Sequence, residues 1–89
     1  MDPHLREKRR ARRYGLSDDN YNAILARQHG ACGICKRSGR VLCVDHCHAT
    51  DKVRGLLCHN CNKALGLFND DPDSTQAATV YLKRSLGDA

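Results

Sequence analysis

The chain has no tryptophan and a single phenylalanine, and it contains no long apolar run. A helix that crosses a membrane needs about 18 to 20 mostly apolar residues in succession, so the sequence predicts no membrane span. No apolar stretch follows Met1, and a secretory signal is therefore not predicted either. We expect a cytoplasmic protein in a reducing compartment, with no membrane partner.

A chain of 89 residues with 40% apolar composition has little surface to bury. Domains of this size often depend on a disulfide or a structural metal for stability. The six cysteines are the obvious source of such a link. In a reducing compartment, cysteines are better suited to holding zinc than to pairing with each other.

Four of the cysteines form two Cys-x-x-Cys pairs, Cys32/Cys35 and Cys58/Cys61, with 22 residues between Cys35 and Cys58. Two thiolates on one tight turn can face the same ion, and four thiolates close a tetrahedral shell around Zn²⁺. The spacing predicts a structural zinc site. A redox pair is the alternative, but neither pair follows a strand of a thioredoxin-like βαβ pattern.

The positive charge is concentrated at the start of the chain, where residues 1–13 hold six of the fifteen lysines and arginines. No apolar stripe accompanies them, so we expect a mobile basic arm, or one that becomes helical only on contact with a partner. Such an arm is typical of proteins that bind a phosphate backbone. The alternative is a solvated tail without a ligand. Residues 14–86 are predicted to form the folded domain.

Within that domain the sequence predicts a helix over about residues 18–29, capped by Ser17. The β-rich runs 41–44 and 53–57 predict a hairpin between the two cysteine pairs. A helix should follow Cys61, and another should run from Pro72 through Leu86. We expect apolar residues of this last helix to face inward, namely Ala77, Tyr81, Leu82 and Leu86.

Between the cysteine pairs lies the run Asp45-His46-Cys47-His48, and Asn62 directly follows the second pair. Imidazole is the natural base near neutral pH, and a carboxylate with an amide oxygen suits Mg²⁺. Cleavage of a phosphodiester needs both functions. These residues therefore predict a catalytic metal site, although each of them alone is more simply an ordinary surface or capping residue.

The alternation of side chains along a strand would place Asp45 and His46 on opposite faces. They can share a site only where the strand ends, twists or bulges, and we predict such an irregularity close to Asp45. Cys43 is interpreted as a small buried strand residue. A second zinc site at Cys47, with His46 and His48, is the less favoured alternative.

The segment VDHCHATDKVRGLLCHNCNKALGLF resembles the active-site segment of HNH (His-Me finger) nucleases, in particular the recombination endonuclease VII family. The resemblance extends over roughly residues 14–82. It implies a small α+β fold, in which a zinc-stapled ββα-metal motif is flanked by N- and C-terminal helices. Cys47 departs from the Asp-His-Asp-His pattern common in the family, and we expect its side chain to point away from His46.

The resemblance also implies residue roles. Asp45 and Asn62 would bind a catalytic Mg²⁺ or Mn²⁺, His46 would be the general base, and His48 would contact the scissile phosphate. Zn²⁺ would be held by Cys32, Cys35, Cys58 and Cys61. The basic residues expected to contact nucleic acid are Arg6, Lys8, Arg9, Arg10, Arg12, Arg13, Lys52, Arg54 and Lys63.

The expected partner is double-stranded DNA, with branched DNA left open, and the expected protein is a phage- or prophage-type endonuclease, monomeric or weakly dimeric. Two other functions stay open. One is a non-catalytic zinc module that binds nucleic acid, and it would not need Asp45, His46 and Asn62 together. The other is a toxin-like or RNA-directed nuclease, for which the sequence offers no specific signal.

Overall fold

The computed structural model describes residues 2–87, which form four helices and one two-stranded sheet. Their order along the chain is α1 (Leu5–Arg12), α2 (Asp18–Arg27), β1 (Cys43–His46), β2 (Val53–Leu57), α3 (His59–Leu67) and α4 (Pro72–Gly87). The predicted small α+β fold is confirmed. None of these helices combines the length and apolar character required to cross a bilayer.

Helix α2 begins as its sequence predicts. The Ser17 hydroxyl accepts a hydrogen bond from the Asn20 N–H at 3.1 Å, and Asp18 and Asp19 occupy the first turn, where the helix dipole favours negative charge. Tyr21 is fully buried, and its hydroxyl donates to the Leu42 carbonyl at 2.9 Å. This bond ties α2 to the segment that leads into the sheet.

The sheet is an antiparallel hairpin with an irregular register. Asp45 pairs with Gly55, but the next residue, His46, pairs with Val53, so the register shifts between Asp45 and His46. The predicted irregularity is therefore confirmed at the expected place. The returning strand was also predicted correctly, whereas the first strand lies two residues later than the run 41–44.

The side chain of Gln28 joins the end of α2 to the first cysteine loop and to β2. Its amide nitrogen donates to the carbonyls of Ala31 (2.8 Å) and Leu56 (2.9 Å), and its oxygen accepts the Leu56 N–H at 3.0 Å. Gly55 makes this approach possible, since a Cβ at that position would lie 3.1 Å from the Gln28 oxygen. Three separate segments are thus held together by one amide.

The core lies between α2, the sheet and the two cysteine loops. Its most deeply buried side chains are Tyr21, Leu42, Leu56 and Cys32. Half-buried apolar residues of the neighbouring elements pack around it, namely Leu16, Ile24, Leu25, Cys35, Val44, Cys61 and Leu65. Two of the predicted zinc ligands, Cys32 and Cys58, belong to this core, so these cysteines and the apolar interior pack together.

Residues 5–12, within the segment expected to be a mobile arm, form helix α1. Its buried face carries Glu7, Lys8 and Ala11, a combination with no apolar stripe for the sequence to reveal. Ala11 is fully buried, and the Lys8 ammonium pairs with Asp2 and lies 5.9 Å from the centre of the Tyr21 ring. The division between an arm at 1–13 and a domain at 14–86 stays a prediction.

The expectation that apolar residues of α4 face inward is wrong. The helix forms where predicted, but Tyr81, Leu82 and Leu86 are 73%, 61% and 78% exposed, and Ala77 is exposed as well. Within residues 2–87, α4 does not pack closely on any other element. Asn69 and Asp70 both adopt left-handed backbone angles (φ 57° and 56°), and this turn directs α4 away from the core.

We predict that Tyr21→Phe lowers the free energy of unfolding by about 1–2 kcal/mol, because the buried Leu42 carbonyl loses its hydrogen bond. Denaturant titration measures the change. Tyr81→Phe is the matched control, since the Tyr81 side chain is exposed and its substitution should leave the unfolding free energy unchanged. Equal effects of the two substitutions would contradict this account of the α2 contact.

Candidate active site and metal centre

The four cysteines of the two Cys-x-x-Cys pairs come together in space. The Sγ atoms of Cys32, Cys35, Cys58 and Cys61 all lie within 4.8 Å of one another, and those of Cys35 and Cys58 are 3.9 Å apart. A tetrahedral Zn²⁺ with Zn–S bonds of about 2.3 Å places its sulfurs roughly 3.8 Å apart. The cluster therefore fits a zinc ion, as the spacing predicts.

The surroundings of these thiols support a divalent cation. Burial alone would raise the pKa of Cys32, but backbone N–H groups, among them that of Ile34 at 3.4 Å, outweigh burial and lower the pKa to about 6. Burial and the neighbouring thiols raise the pKa of Cys61 to about 12. The thiolate form is therefore favoured at Cys32 and disfavoured at Cys61. A bound divalent cation would stabilise the thiolate form of both.

The predicted catalytic residues line one cleft of about 300 Å³ beside this cluster. The cleft lies between the bulged end of β1, the first turn of α3 and part of α1. Its walls are formed by Glu7, Arg10, Tyr14, Cys43, Val44, Asp45, His46, His48, His59 and Asn62. All four residues assigned to the catalytic site by the sequence are thus neighbours here, as the predicted approach of hairpin and helix requires.

Asp45, which lines this cleft, is held by an arginine, Arg54. Its side chain is 9% exposed and accepts from Arg54 twice, from Nε at 2.7 Å and from Nη2 at 2.9 Å. These bonds raise the pKa of Arg54, whose Nη2 also lies 3.5 Å from Asp70. Each carboxylate oxygen of Asp45 has two lone pairs, so one per oxygen is left for a hard cation.

Asn62 faces the same cleft because of where α3 begins. Cys58 is the residue before the helix, and the Asn62 N–H donates to its carbonyl at 3.0 Å, which places the amide in the first turn. The side chain is half-buried at the cleft wall. A carboxylate and an amide oxygen in one polar cleft suit Mg²⁺ or Mn²⁺, which keep several water ligands.

Three aromatic rings are stacked at the cleft. The ring centroids of Tyr14 and His46 are 4.3 Å apart at an interplanar angle of 28°, and those of His46 and His48 are 4.9 Å apart at 26°. His48 is also 4.0 Å from Asp70, which links the stack to Arg54. His46 therefore sits between two rings, with its faces covered.

Three cleft residues were missed by sequence reasoning, Glu7, Tyr14 and His59, and so was Asp70, which pairs with His48. Glu7 lies in the segment interpreted as a mobile arm, where its buried position could not be inferred. No local pattern relates Tyr14 to His46. Asp70 stands in an acidic turn whose path depends on two left-handed residues.

The two remaining cysteines lie outside the zinc-type cluster. Cys43 is buried in β1, as interpreted, and its Sγ is 3.3 Å from the Nδ1 atom of His59. Burial and the nearby Glu7 raise the pKa of the Cys43 thiol to about 11. Cys47 is half-buried in the hairpin turn, and its N–H donates to the Lys52 carbonyl at 2.8 Å.

A larger cleft of about 530 Å³ lies on the other side of the Asp45–Arg54 pair. Apolar and backbone groups dominate its walls, with Ile34, Leu56 and Leu65 among them. It contains neither His46 nor Asn62. The smaller cleft is therefore the better candidate for chemistry, because it holds the candidate base His46 and both candidate metal ligands.

The basic residues expected to bind nucleic acid divide into two groups. Lys8, Arg12 and Arg54 pair with Asp2, Asp18 and Asp45, and Arg10 lies 4.0 Å from Glu7. Five others are exposed and, among residues 2–87, form no ion pair: Arg6, Arg9, Arg13, Lys52 and Lys63. Arg6, Arg9 and Arg13 are three and four residues apart, so they share one side of α1 and its C-terminal cap.

Comparison with known families gives a match to recombination endonuclease VII over residues 7–84. The matched range includes most of α1, both cysteine pairs and all the cleft residues. No solved structure matches the chain.

Two curated relatives are similar in sequence. The Gene 59 protein of Mycobacterium phage D29 is 44% identical over 75 residues, which are 80% of this chain and 46% of that protein. The Gene 59 protein of Mycobacterium phage L5 is 44% identical over 73 residues, 78% of this chain and 44% of that protein. The chain thus spans somewhat less than half the length of these relatives.

We predict that Cys58→Ser removes bound zinc and unfolds the domain, because the cluster loses one of four ligands in the core. Zinc content by elemental analysis and folding by circular dichroism test this. Cys47→Ser is the matched control and should keep both. A folded Cys58→Ser protein with an undiminished zinc content would contradict the assignment.

Proposed function

Because the chain belongs to the recombination endonuclease VII family, we propose that it is a metal-dependent endonuclease of the HNH type, which hydrolyses phosphodiester bonds of DNA. The observation that carries this proposal is the single cleft that gathers Asp45, His46, His48 and Asn62 beside the four-cysteine cluster. On this proposal, β1, β2 and α3 are the ββα-metal motif.

Asp45 and Asn62 are the residues that would hold the catalytic Mg²⁺ or Mn²⁺. A bound divalent ion would neutralise charge on the scissile phosphate and on the leaving oxygen. Arg54 keeps the Asp45 carboxylate in place through two hydrogen bonds, so the ligand is oriented before an ion arrives. The Asn62 amide is oriented by the start of α3.

His46 is the proposed general base. It takes a proton from a water molecule, whose oxygen attacks phosphorus, while the bond to the 3′ oxygen of the preceding nucleotide breaks and that oxygen takes up a proton from solvent. The products then carry 5′-phosphate and 3′-hydroxyl ends. His48 is exposed at the outer side of the stack, where it can donate a hydrogen bond to a phosphate oxygen.

The four cysteines have a separate task in this proposal. They hold a structural Zn²⁺ with a closed shell, which leaves no position for substrate. The zinc would fix the start of α3 against the first cysteine loop, and with it the position of Asn62. One chain would thus use two metals for two purposes.

The proposed substrate is double-stranded DNA, for which the exposed arginines of α1 provide a phosphate-binding surface at the edge of the cleft. The similarity to mycobacteriophage proteins supports a phage-encoded enzyme that acts inside the host cell. Branched DNA as a substrate, and a monomeric or weakly dimeric state, stay predictions.

We predict that the protein nicks supercoiled plasmid with Mg²⁺ or Mn²⁺, and that His46→Ala lowers the rate at least about 100-fold because water loses its base. Gel analysis of plasmid forms measures the rate. His29→Asn is the matched control: His29 is exposed and outside the small cleft, and asparagine tolerates its left-handed backbone (φ 57°).

If the pure protein binds DNA but does not cut it with any divalent ion, the non-catalytic zinc module becomes the better interpretation. If His46→Ala cuts at the wild-type rate, the assignment of the base is wrong while the nuclease function stands. The two results are distinguishable in the same assay.

We further predict that replacing Arg6, Arg9 and Arg13 together by glutamine weakens DNA binding and makes its salt dependence shallower. Each lost phosphate contact reduces the slope of log K against log salt by about 0.9, or roughly 3 in total. Fluorescence anisotropy over a range of salt measures this slope.

The control for this experiment removes the same charge from exposed positions outside the small cleft, on α2 and α4: Arg27, Lys83 and Arg84. Their replacement by glutamine should leave the slope close to that of the wild type. An unchanged slope in the α1 variant would show that this side of the helix does not bind phosphates.

A further inference from the structure

We propose that Tyr14 is a positioning residue for His46, and that its ring, stacked on the imidazole, fixes the orientation of the base. The inference rests on the proposed function, because it assigns to Tyr14 a part in that reaction. Tyr14 belongs to the connector after α1, outside the segment whose pattern predicted the catalytic site.

A catalytic histidine is usually oriented by a hydrogen bond from one ring nitrogen to a carbonyl or a carboxylate. Within residues 2–87, the His46 ring forms no side-chain hydrogen bond and is stacked on the rings of Tyr14 and His48. The strand register shifts immediately before His46, which pairs with Val53, so His46 lies at the irregular point of the hairpin. The orientation of the imidazole therefore depends on the stack.

Stacking is compatible with the task of a base. The neighbouring rings cover the two faces of the imidazole, whereas the lone pair and the proton of its nitrogens lie in the ring plane. The edge that exchanges a proton with water thus stays open to the cleft. A ring that is stacked on both faces can turn little about its Cβ–Cγ bond without losing those contacts.

Of the two neighbours, Tyr14 is the more firmly placed. Gly15 takes a left-handed conformation (φ 79°) directly after it, and the N–H groups of Tyr14 and Leu16 both donate to the Ala11 carbonyl, at 2.9 and 3.1 Å. Ala11 is fully buried and Leu16 packs on the core. This closed end of α1 fixes the Tyr14 backbone.

His48 offers a weaker hold. Its side chain is 77% exposed, it lies two residues after the end of β1, and its ionic partner Asp70 is 4.0 Å away. Its ring also lies farther from His46 than the Tyr14 ring does. Tyr14 therefore supplies the fixed side of the stack, and the connector after α1 positions the base.

The test compares Tyr14→Leu, which removes the aromatic face, with Tyr14→Phe, which keeps it and removes only the hydroxyl. Tyr81→Leu repeats the first change on exposed α4 as the matched control. Circular dichroism and zinc content confirm folding. Plasmid nicking is measured at several DNA concentrations, so that kcat and KM are obtained separately.

We expect Tyr14→Leu to lower kcat about 10- to 100-fold with KM changed less than about twofold, because a displaced base costs rate rather than binding. Tyr14→Phe and Tyr81→Leu should cut at nearly the wild-type rate. In a His46→Ala background, Tyr14→Leu should cause no further loss, since its effect passes through the imidazole.

A measurement independent of cleavage accompanies these rates. The NMR signals of the His46 ring protons should show an upfield ring-current shift in the wild type and in Tyr14→Phe, and should lose it in Tyr14→Leu. Unchanged shifts in Tyr14→Leu would overturn the inference whatever the rates are.

The remaining outcomes separate the inference from the proposed function. If the wild type cuts and Tyr14→Leu keeps its kcat, or only its KM rises, Tyr14 does not position the base while the nuclease function stands. If Tyr14→Phe loses as much as Tyr14→Leu, the hydroxyl and not the stacked face matters. A wild type that does not cut overturns the proposed function, and the inference with it.

Discussion

The convergence of four cysteine sulfurs is the constraint on which the rest of the structure depends. Cys32 and Cys58 are part of the apolar core, so the cluster joins two loops in a chain with few large side chains to bury. Cys58 also precedes α3 directly, and its carbonyl accepts the Asn62 N–H. A metal bound there would stabilise the fold and, through the same residue, set the position of a candidate catalytic ligand.

Departures from regular structure bring the remaining groups to the cleft. The register shift after Asp45 lets that carboxylate turn toward Arg54 while His46 enters the aromatic stack. Gly15 adopts a left-handed backbone conformation directly after Tyr14 and ends the turn that follows α1. Asp70 also adopts a left-handed conformation, and its carboxylate lies near Arg54. A left-handed conformation is strained at a residue other than glycine, as at Asp70, and such strain is often found at functional sites.

Local patterns predicted the cysteine cluster, the hairpin and the bulge, because each follows from spacing or alternation in one stretch. A packed helix α1 was not predicted, because its buried residues are Glu7, Lys8 and Ala11, which form no apolar pattern in the sequence. The prediction that α4 has an inward face assumed that its apolar residues are buried against other elements. The Tyr81 side chain is instead exposed. The pairing of Tyr14 with His46 depends on the tertiary path of the chain, which no local pattern contains.

On the function proposed above, one chain separates a structural metal from a catalytic one. Crystals grown with Mn²⁺ and measured at the zinc and manganese absorption edges would locate both metals. We expect a zinc signal among the four cysteine sulfurs and a manganese signal between Asp45 and Asn62. Manganese bound only elsewhere, or a cysteine cluster without zinc, would contradict this expectation.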